Sequence, residues 1–280
     1  MSGRKNEVFA KDAPQAGVPR RDVMKDDFGY EVPVETIPLP SQGKVYQEAS
    51  PLFGQETVDI RAMTAREEDI LTSRALIKKG TVISELLNSC IMTPGVDVGE
   101  MLAGDRNAVM VALRITGYGR TYSAEISCGS CGEKSESDFD LAQLPIKRLD
   151  IEPSEPGKNV FDFKLPYTGK TVQFKFLTGD DEQDMLQEAE RKRKTLRHSK
   201  DSLVTSRLQR SIVSIDGVTD RSKIGVFVAN MPAADSRALR KFIESHEPGV
   251  DMQSWTTCEL CGHEQEVTMP IGAKFFWPDV

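Results

Sequence analysis

Two cysteine pairs with the same spacing constrain this chain more than any other feature of its sequence. Residues 127–132 read SCGSCG and residues 257–262 read TCELCG. A two-residue spacer lets a tight turn aim both thiolates at one point, and the glycine accepts the left-handed backbone that such turns need. Together the two cysteine knuckles supply four thiolates, the number that closes a tetrahedral structural zinc site. The predicted ligands of one zinc ion are Cys128, Cys131, Cys258 and Cys261.

The distance between the pairs leaves other interpretations of the cysteines open. Compact zinc ribbons have about 15 to 20 residues between their pairs, far fewer than separate Cys131 from Cys258. Each pair alone also fits a local disulfide, reduced thiols or a redox motif, although a thioredoxin-like motif requires a pair that opens a helix. His263 follows the second pair, but four sulfurs already fill the site. Cys90 lies on an apolar helical face and is expected to be a core residue.

A repeated order of elements predicts the fold class. Residues 58–68 read VDIRAMTAREE and residues 172–182 read VQFKFLTGDDE. Each stretch combines an alternating strand, a threonine cap and an acidic first helical turn. Each is followed by helical patterns and then by a strand, a knuckle and a second strand, over residues 122–139 and 253–269. This order predicts an α+β fold of two duplicated halves joined by a four-cysteine, zinc-ribbon-like site.

Periodicity and caps locate the helices more closely. Thr64 with Glu67 forms a capping box before a helix over about residues 65–78, and Gly80 ends that helix. Thr81 is expected to cap a second helix. Further helices are predicted from Asp105, around residues 185–197, over 203–215 and over 233–245.

Prolines and charges divide the chain into four segments. Residues 1–38 combine several prolines, both signs of charge and few large apolar side chains, which predicts an extended or disordered arm. The first half is expected to span residues 39–150 and the second half residues 158–280. The stretch at 151–157, which contains PSEPG, is the expected linker.

Charge and hydropathy bear on the class of partner. Lys and Arg number 36 against 43 Asp and Glu, which gives a formal net charge of −7. This balance disfavours a protein that coats nucleic acid. Because of the basic run Arg191–Lys194, a zinc-ribbon nucleic-acid-binding or transcription-associated module remains the alternative, although no aromatic residues interleave with the run.

The longest uncharged apolar run, residues 108–113, is far shorter than the roughly 20 residues of a bilayer span. No membrane partner is therefore expected, and synthesis in a cytoplasm is predicted.

The sequence contains no recognisable catalytic constellation. A site closed by four thiolates has no open position for water or substrate. Walker-type loops, paired dinucleotide glycines and a Gly-x-Ser-x-Gly elbow are all missing from the sequence, and its three histidines are scattered. We therefore expect a protein that is not an enzyme.

Several short motifs occur in a set order between residues 38 and 190. They are LPSQG at 39–43 with Tyr46, the capped strand that ends in Glu67-Glu68, AGDRN at 103–107, and LRITGYG at 113–119 with Tyr122. This order resembles the baseplate (hub) protein family of T-even-type contractile-tailed bacteriophages. The resemblance implies a non-enzymatic structural or assembly component of the virion tail that binds other baseplate proteins. A second copy of the chain is a further candidate partner.

Overall fold

Short antiparallel sheets and helices alternate along the chain in the computed structural model, which describes residues 32–195, 203–269 and 273–276. The strands are β1 (Val34–Pro38), β2 (Thr57–Arg61), β3 (Thr121–Ser127), β4 (Lys134–Asp140), β5 (Ile146–Lys147), β6 (Phe161–Lys164), β7 (Thr171–Phe174), β8 (Ile212–Ile215), β9 (Gly249–Val250), β10 (Gln253–Thr257) and β11 (Glu264–Thr268). The helices are α1 (Ala65–Thr72), α2 (Arg74–Lys79), α3 (Val82–Cys90), α4 (Ala103–Tyr118), α5 (Gly179–Thr195), α6 (Leu203–Ser211), α7 (Arg221–Ala229), α8 (Ala233–His246) and α9 (Ala273–Phe276). The predicted mixture of helices and strands is confirmed. Within the described ranges, none of the helices has the length and apolarity needed to cross a bilayer.

The first sheet includes residues that the sequence assigned to the arm. β1 pairs antiparallel with β2, and Ile37 lies opposite Val58. Both side chains are buried, as is Val32, so residues 32–38 belong to the folded body. Strand pairing supplies the partners that this segment lacks on its own, because its apolar residues pack against β2 and the core. The rest of the predicted arm, residues 1–31, lies outside the described residues.

The helix predicted over residues 65–78 is two helices. α1 ends at Thr72, whose hydroxyl donates to the carbonyl oxygen of Glu68 (2.9 Å). Ser73 then adopts an extended conformation with ψ of 105°. Threonine and serine hydroxyls that bond to backbone groups compete with helix continuation, which accounts for a break at this point. Gly80 ends α2 in the left-handed conformation at φ 75°, as predicted.

In the second half, β6, β7 and β8 form a three-stranded sheet. The helix predicted over residues 203–215 is wrong in its last turn, because α6 ends at Ser211 and the chain continues as β8. Ile212 lies opposite Phe174, and both side chains are fully buried. β-Branched residues favour a pleated surface, and here β7 supplies the neighbouring strand. α7 was not predicted from the sequence.

The cap of α1 rests on a buried ion pair. The backbone N–H of Thr64 donates to Oε2 of Glu67 (2.9 Å), and the predicted capping box is present. Arg61, at the end of β2, donates to the same carboxylate through both terminal nitrogens, at 2.7 and 3.0 Å. Burial opposes ionisation of Glu67, but hydrogen bonds from Arg61, Ser89 and Thr64 hold its pKa well below the ordinary value.

The cap of α5 repeats this arrangement with different side chains. The backbone N–H of Thr178 donates to Oδ2 of Asp181 (3.1 Å), and Lys175 Nζ lies 2.6 Å from the same oxygen. Lys175 precedes its threonine by three residues, as Arg61 precedes Thr64. Strand, cap and basic partner therefore follow the same order at both caps.

The two predicted halves, residues 39–150 and 158–280, pack directly on each other. The backbone N–H of Ala103 at the start of α4 donates to the carbonyl of Leu177 (2.9 Å), and β5 of the first half pairs with β9 of the second. Gly104 is needed here, because a Cβ atom would lie 1.8 Å from the carbonyl oxygen of Pro248. Buried apolar residues from both halves form one continuous core cluster.

Candidate metal centre

Each knuckle is the turn of a two-stranded hairpin. β3 and β4 flank the first knuckle, and β10 and β11 flank the second. In the first, the N–H of Gly132 donates to the carbonyl of Cys128 (2.9 Å), and in the second Gly262 donates to Cys258 at the same distance. Both glycines have positive φ, 75° and 69°, a conformation that side chains with a Cβ atom disfavour. The glycines predicted from the sequence thus close both turns.

Polar contacts hold the two hairpins against each other. The hydroxyls of Ser137 on β4 and Thr256 on β10 lie 2.9 Å apart. Gln265 on β11 reaches across to the first knuckle, where its Oε1 accepts from the N–H of Gly129 (2.7 Å) and its Nε2 donates to the carbonyl of Ser127 (3.1 Å). Gln265 could not be recognised from the sequence, since its partners lie more than a hundred residues away in the chain.

The structure brings all four predicted ligands together. Their sulfur atoms lie within 4.8 Å of one another. The Sγ atoms of Cys128 and Cys261 are 3.7 Å apart, and those of Cys131 and Cys258 are 3.8 Å apart. A tetrahedron with Zn–S bonds of about 2.3 Å has S···S edges of about 3.8 Å, whereas a disulfide bond measures about 2.05 Å. The donor set, the number of sulfurs and the spacing all fit a four-thiolate zinc site.

The two thiols of the first knuckle differ in their pKa. Backbone N–H groups of Cys131 and Ser130 lower the pKa of Cys128 to about 6. The Glu133 N–H lowers the pKa of Cys131 as well, but the neighbouring sulfurs outweigh it and raise that pKa to about 12. Thiolates at this spacing repel one another, and a divalent cation bound between them would offset that repulsion.

The remaining cysteine and the nearby histidine take no part in the cluster. Cys90 is fully buried in α3, and burial raises its pKa to about 12, which makes it an inert core residue as predicted. His263 is exposed and lies just before β11.

Asp105 belongs to a buried polar cluster that was not predicted from the sequence. Its expected role was only to open a helix. α4 begins two residues earlier, and the carboxylate of Asp105 is fully buried. It accepts hydrogen bonds from the backbone N–H of Ser41 (2.9 Å) and from its hydroxyl (2.6 Å). Burial raises the pKa of Asp105, against the effect of these donors. The only signal in the sequence was an acidic residue within the apolar pattern of α4.

Fold and site together define a mixed α/β protein in which two knuckle hairpins meet at a candidate four-cysteine metal centre. Comparison with known families shows that the chain belongs to the family of T4 bacteriophage base plate proteins, with a match over residues 33–277. The resemblance seen in the motifs is thereby confirmed, and the match extends past residue 190 through the second knuckle. No curated protein and no solved structure matches the chain. Family membership identifies a structural component of the phage tail, located in the virion and in contact with other tail proteins.

Proposed function

We propose that the protein is a non-enzymatic assembly component of the hub region of the tail baseplate, synthesised in the host cytoplasm and built into the virion. Its role is to bind other baseplate proteins and hold them in register. Membership of a structural family supports a role without catalysis. The single core shared by both halves supports a rigid scaffold that presents fixed surfaces to its neighbours.

The scaffold is held by one structural zinc ion, bound by Cys128, Cys131, Cys258 and Cys261. The observation that carries this proposal is the close approach of sulfurs from different knuckles, at 3.7 and 3.8 Å. Structural zinc contributes on the order of 10 kcal/mol to the folding of small zinc peptides. Because each knuckle belongs to a different half, the ion joins segments that are far apart in the chain.

The two halves are copies of one ancestral unit. The caps at Thr64 and Thr178, each with a basic residue three positions earlier, support this origin. A further backbone pairing beside each capped strand supports it too, because β8 pairs with β7, and Ile91 forms an isolated bridge to Ile60 of β2. A duplication explains how a zinc site comes to be divided between the ends of two halves.

Metal analysis of the purified chain tests the site directly. We expect one zinc per chain, and a Cys258→Ser variant that no longer retains it. A Cys90→Ala variant is the matched control, because Cys90 lies outside the cluster and should leave the zinc content unchanged. A wild-type chain purified without exposure to chelators that contains no zinc would disprove the site.

Imaging of tails that carry a tagged copy of the chain tests the location. Density for the tag near the axis of the baseplate supports a hub component, and density at its periphery contradicts it. Binding of DNA or RNA by the isolated protein, weakened by salt, would instead favour a nucleic-acid-binding module.

A further inference from the structure

The outer face of the second knuckle hairpin carries exposed side chains that the binding of a metal ion does not require. On this face, Trp255 of β10 lies opposite Glu266 of β11, and Thr257 lies opposite Glu264. The indole of Trp255 is 69% exposed. Both carboxylate side chains are exposed as well, and neither forms an ion pair within the described part of the chain. We call Trp255, Glu264 and Glu266 the acidic face.

The first hairpin provides an internal comparison, because its strands pair in the same register around its own knuckle. Counted from the first cysteine of each knuckle, the matching residues are Glu125 and Trp255, Lys134 and Glu264, and Glu136 and Glu266. In the first hairpin, Lys134 Nζ lies 2.7 Å from Oε1 of Glu125, so that these two charges are paired within the hairpin. The second hairpin has an exposed indole and a further carboxylate in their place. Holding the metal does not require this change, since the first hairpin has the same turn without it.

The charge of the second hairpin identifies the kind of partner that fits it. Residues 251–269 contain four acidic residues and neither Lys nor Arg. Carboxylates form strong charge-assisted hydrogen bonds with guanidinium and ammonium groups, and the face of an indole attracts the same cations. Tryptophan is also among the residues that most often dominate the binding energy of protein interfaces. A polypeptide segment with several Lys and Arg side chains has the complementary chemistry.

The chain itself contains such a segment. Arg191-Lys192-Arg193-Lys194 is its strongest basic run and lies in the last turns of α5. Earlier on the same helix, the apolar side chain of Leu186 is 68% exposed. We propose that the acidic face of one copy binds the basic run of a second copy. The two segments differ, so the contact is heterologous and every copy can bind two others, which leads to association beyond dimers.

Sedimentation velocity of the zinc-loaded full-length chain tests this contact. At low salt we expect species larger than dimers whose population grows with protein concentration. They should dissociate at about 0.5 M salt, where screening acts over only a few ångströms. A chain that stays monomeric at low salt over the whole concentration range overturns the proposal and leaves the acidic face to a different tail protein.

Charge reversal distinguishes the proposed contact from non-specific association. We expect the variants E264K/E266K and K192E/K194E to be monomeric when each is alone. An equimolar mixture should associate again, because each variant then meets an oppositely charged surface on the other. Failure of the mixture to associate contradicts the pairing of these two surfaces.

Two controls guard against indirect effects on folding. Glu136→Lys changes the residue that matches Glu266 on the first hairpin, and it should leave association and zinc content as in the wild type. Should E264K/E266K lose zinc, the neutral variant E264Q/E266Q replaces it and is expected to weaken association while retaining the metal.

Trp255→Ala tests the contribution of the indole, and it is expected to weaken association at unchanged charge. If it does not, the indole lies outside the contact and the proposed face is wrong.

Discussion

The Oη atom of Tyr46 lies 2.5 Å from Oδ2 of Asp105, although the two residues are 59 positions apart in the chain. Tyr46 also accepts a hydrogen bond from the backbone N–H of Leu102 (3.1 Å), just before α4 begins. Burial and the nearby carboxyl group raise the pKa of Tyr46 well above its ordinary value, so the phenol remains a donor. The turn after β1 is thereby fixed to the first turn of the central helix. Two of the motifs that resemble the phage family meet at this contact.

Asp105 should give the protein a characteristic dependence on pH. Its pKa is raised in the folded state, so the folded protein binds this proton more tightly than the unfolded chain does. The stabilisation that follows is complete below the unfolded pKa of about 3.9 and is lost as pH rises toward the folded value. We expect the unfolding free energy of the wild type, relative to Asp105→Asn, to fall with rising pH over this range. Urea titrations at several pH values measure it, and a difference that grows with pH contradicts the raised pKa.

Glu67 should show the opposite dependence, because its pKa is lowered in the folded state. The stability it confers is present above the unfolded pKa of about 4.3 and is lost as pH falls through the folded value. At neutral pH, Glu67→Gln leaves the guanidinium of Arg61, only 10% exposed, without its carboxylate, which we expect to cost about 3 to 5 kcal/mol. The matched variant is Asp181→Asn, whose partner Lys175 is 26% exposed, and its cost should be smaller. Equal losses in urea unfolding would show that burial does not distinguish the two caps.

Local chemistry accounts for what could be predicted from the sequence. Residues within a few positions of each other form the caps at Thr64 and Thr178 and both knuckle turns. Short sequence patterns therefore predict these features. The strand over residues 212–215 was assigned to a helix because a short apolar run fits both periods until a neighbouring strand is known. The contacts of Asp105 and Gln265 depend on tertiary pairing alone.

Loss of one knuckle ligand should affect both halves. We expect Cys258→Ser to abolish zinc retention and to increase amide hydrogen exchange in β3 and β4 as well as in β10 and β11, since the first knuckle would lose its shared ion. Exchange that rises only in β10 and β11 would show that the two hairpins are held independently. Cys90→Ala serves again as the control with intact zinc.

Gln265 should control how tightly the first knuckle closes. Gln265→Leu removes two hydrogen bonds to the backbone around Cys128, and groups that orient metal ligands typically change metal affinity about 10-fold or more. We therefore expect faster zinc release to a chelator. Thr256→Val is the matched control, because it removes a contact between the hairpins without touching a knuckle. Equal release rates in both variants would indicate general loosening of the hairpins instead of an effect on the knuckle.

The position of β1 makes the role of the N-terminal residues testable by two deletions. Removal of residues 1–31 should leave folding and zinc content unchanged, because the sequence predicts an arm without a core of its own. Removal of residues 1–38 also deletes β1, exposes its partner β2 and takes Ile37 out of the core, so it should destabilise the protein by several kcal/mol.

If the arm runs along a neighbouring tail protein, the shorter deletion should reduce incorporation into tails while the purified chain unfolds at the same urea concentration as the wild type. Ordering such an arm costs about 1 to 2 kcal/mol per fixed residue, which only an extensive contact with the partner offsets. Unchanged incorporation would make residues 1–31 a passive tail. A lower urea midpoint for the shorter deletion would place part of that segment in the core and move the boundary of the folded body toward the N-terminus.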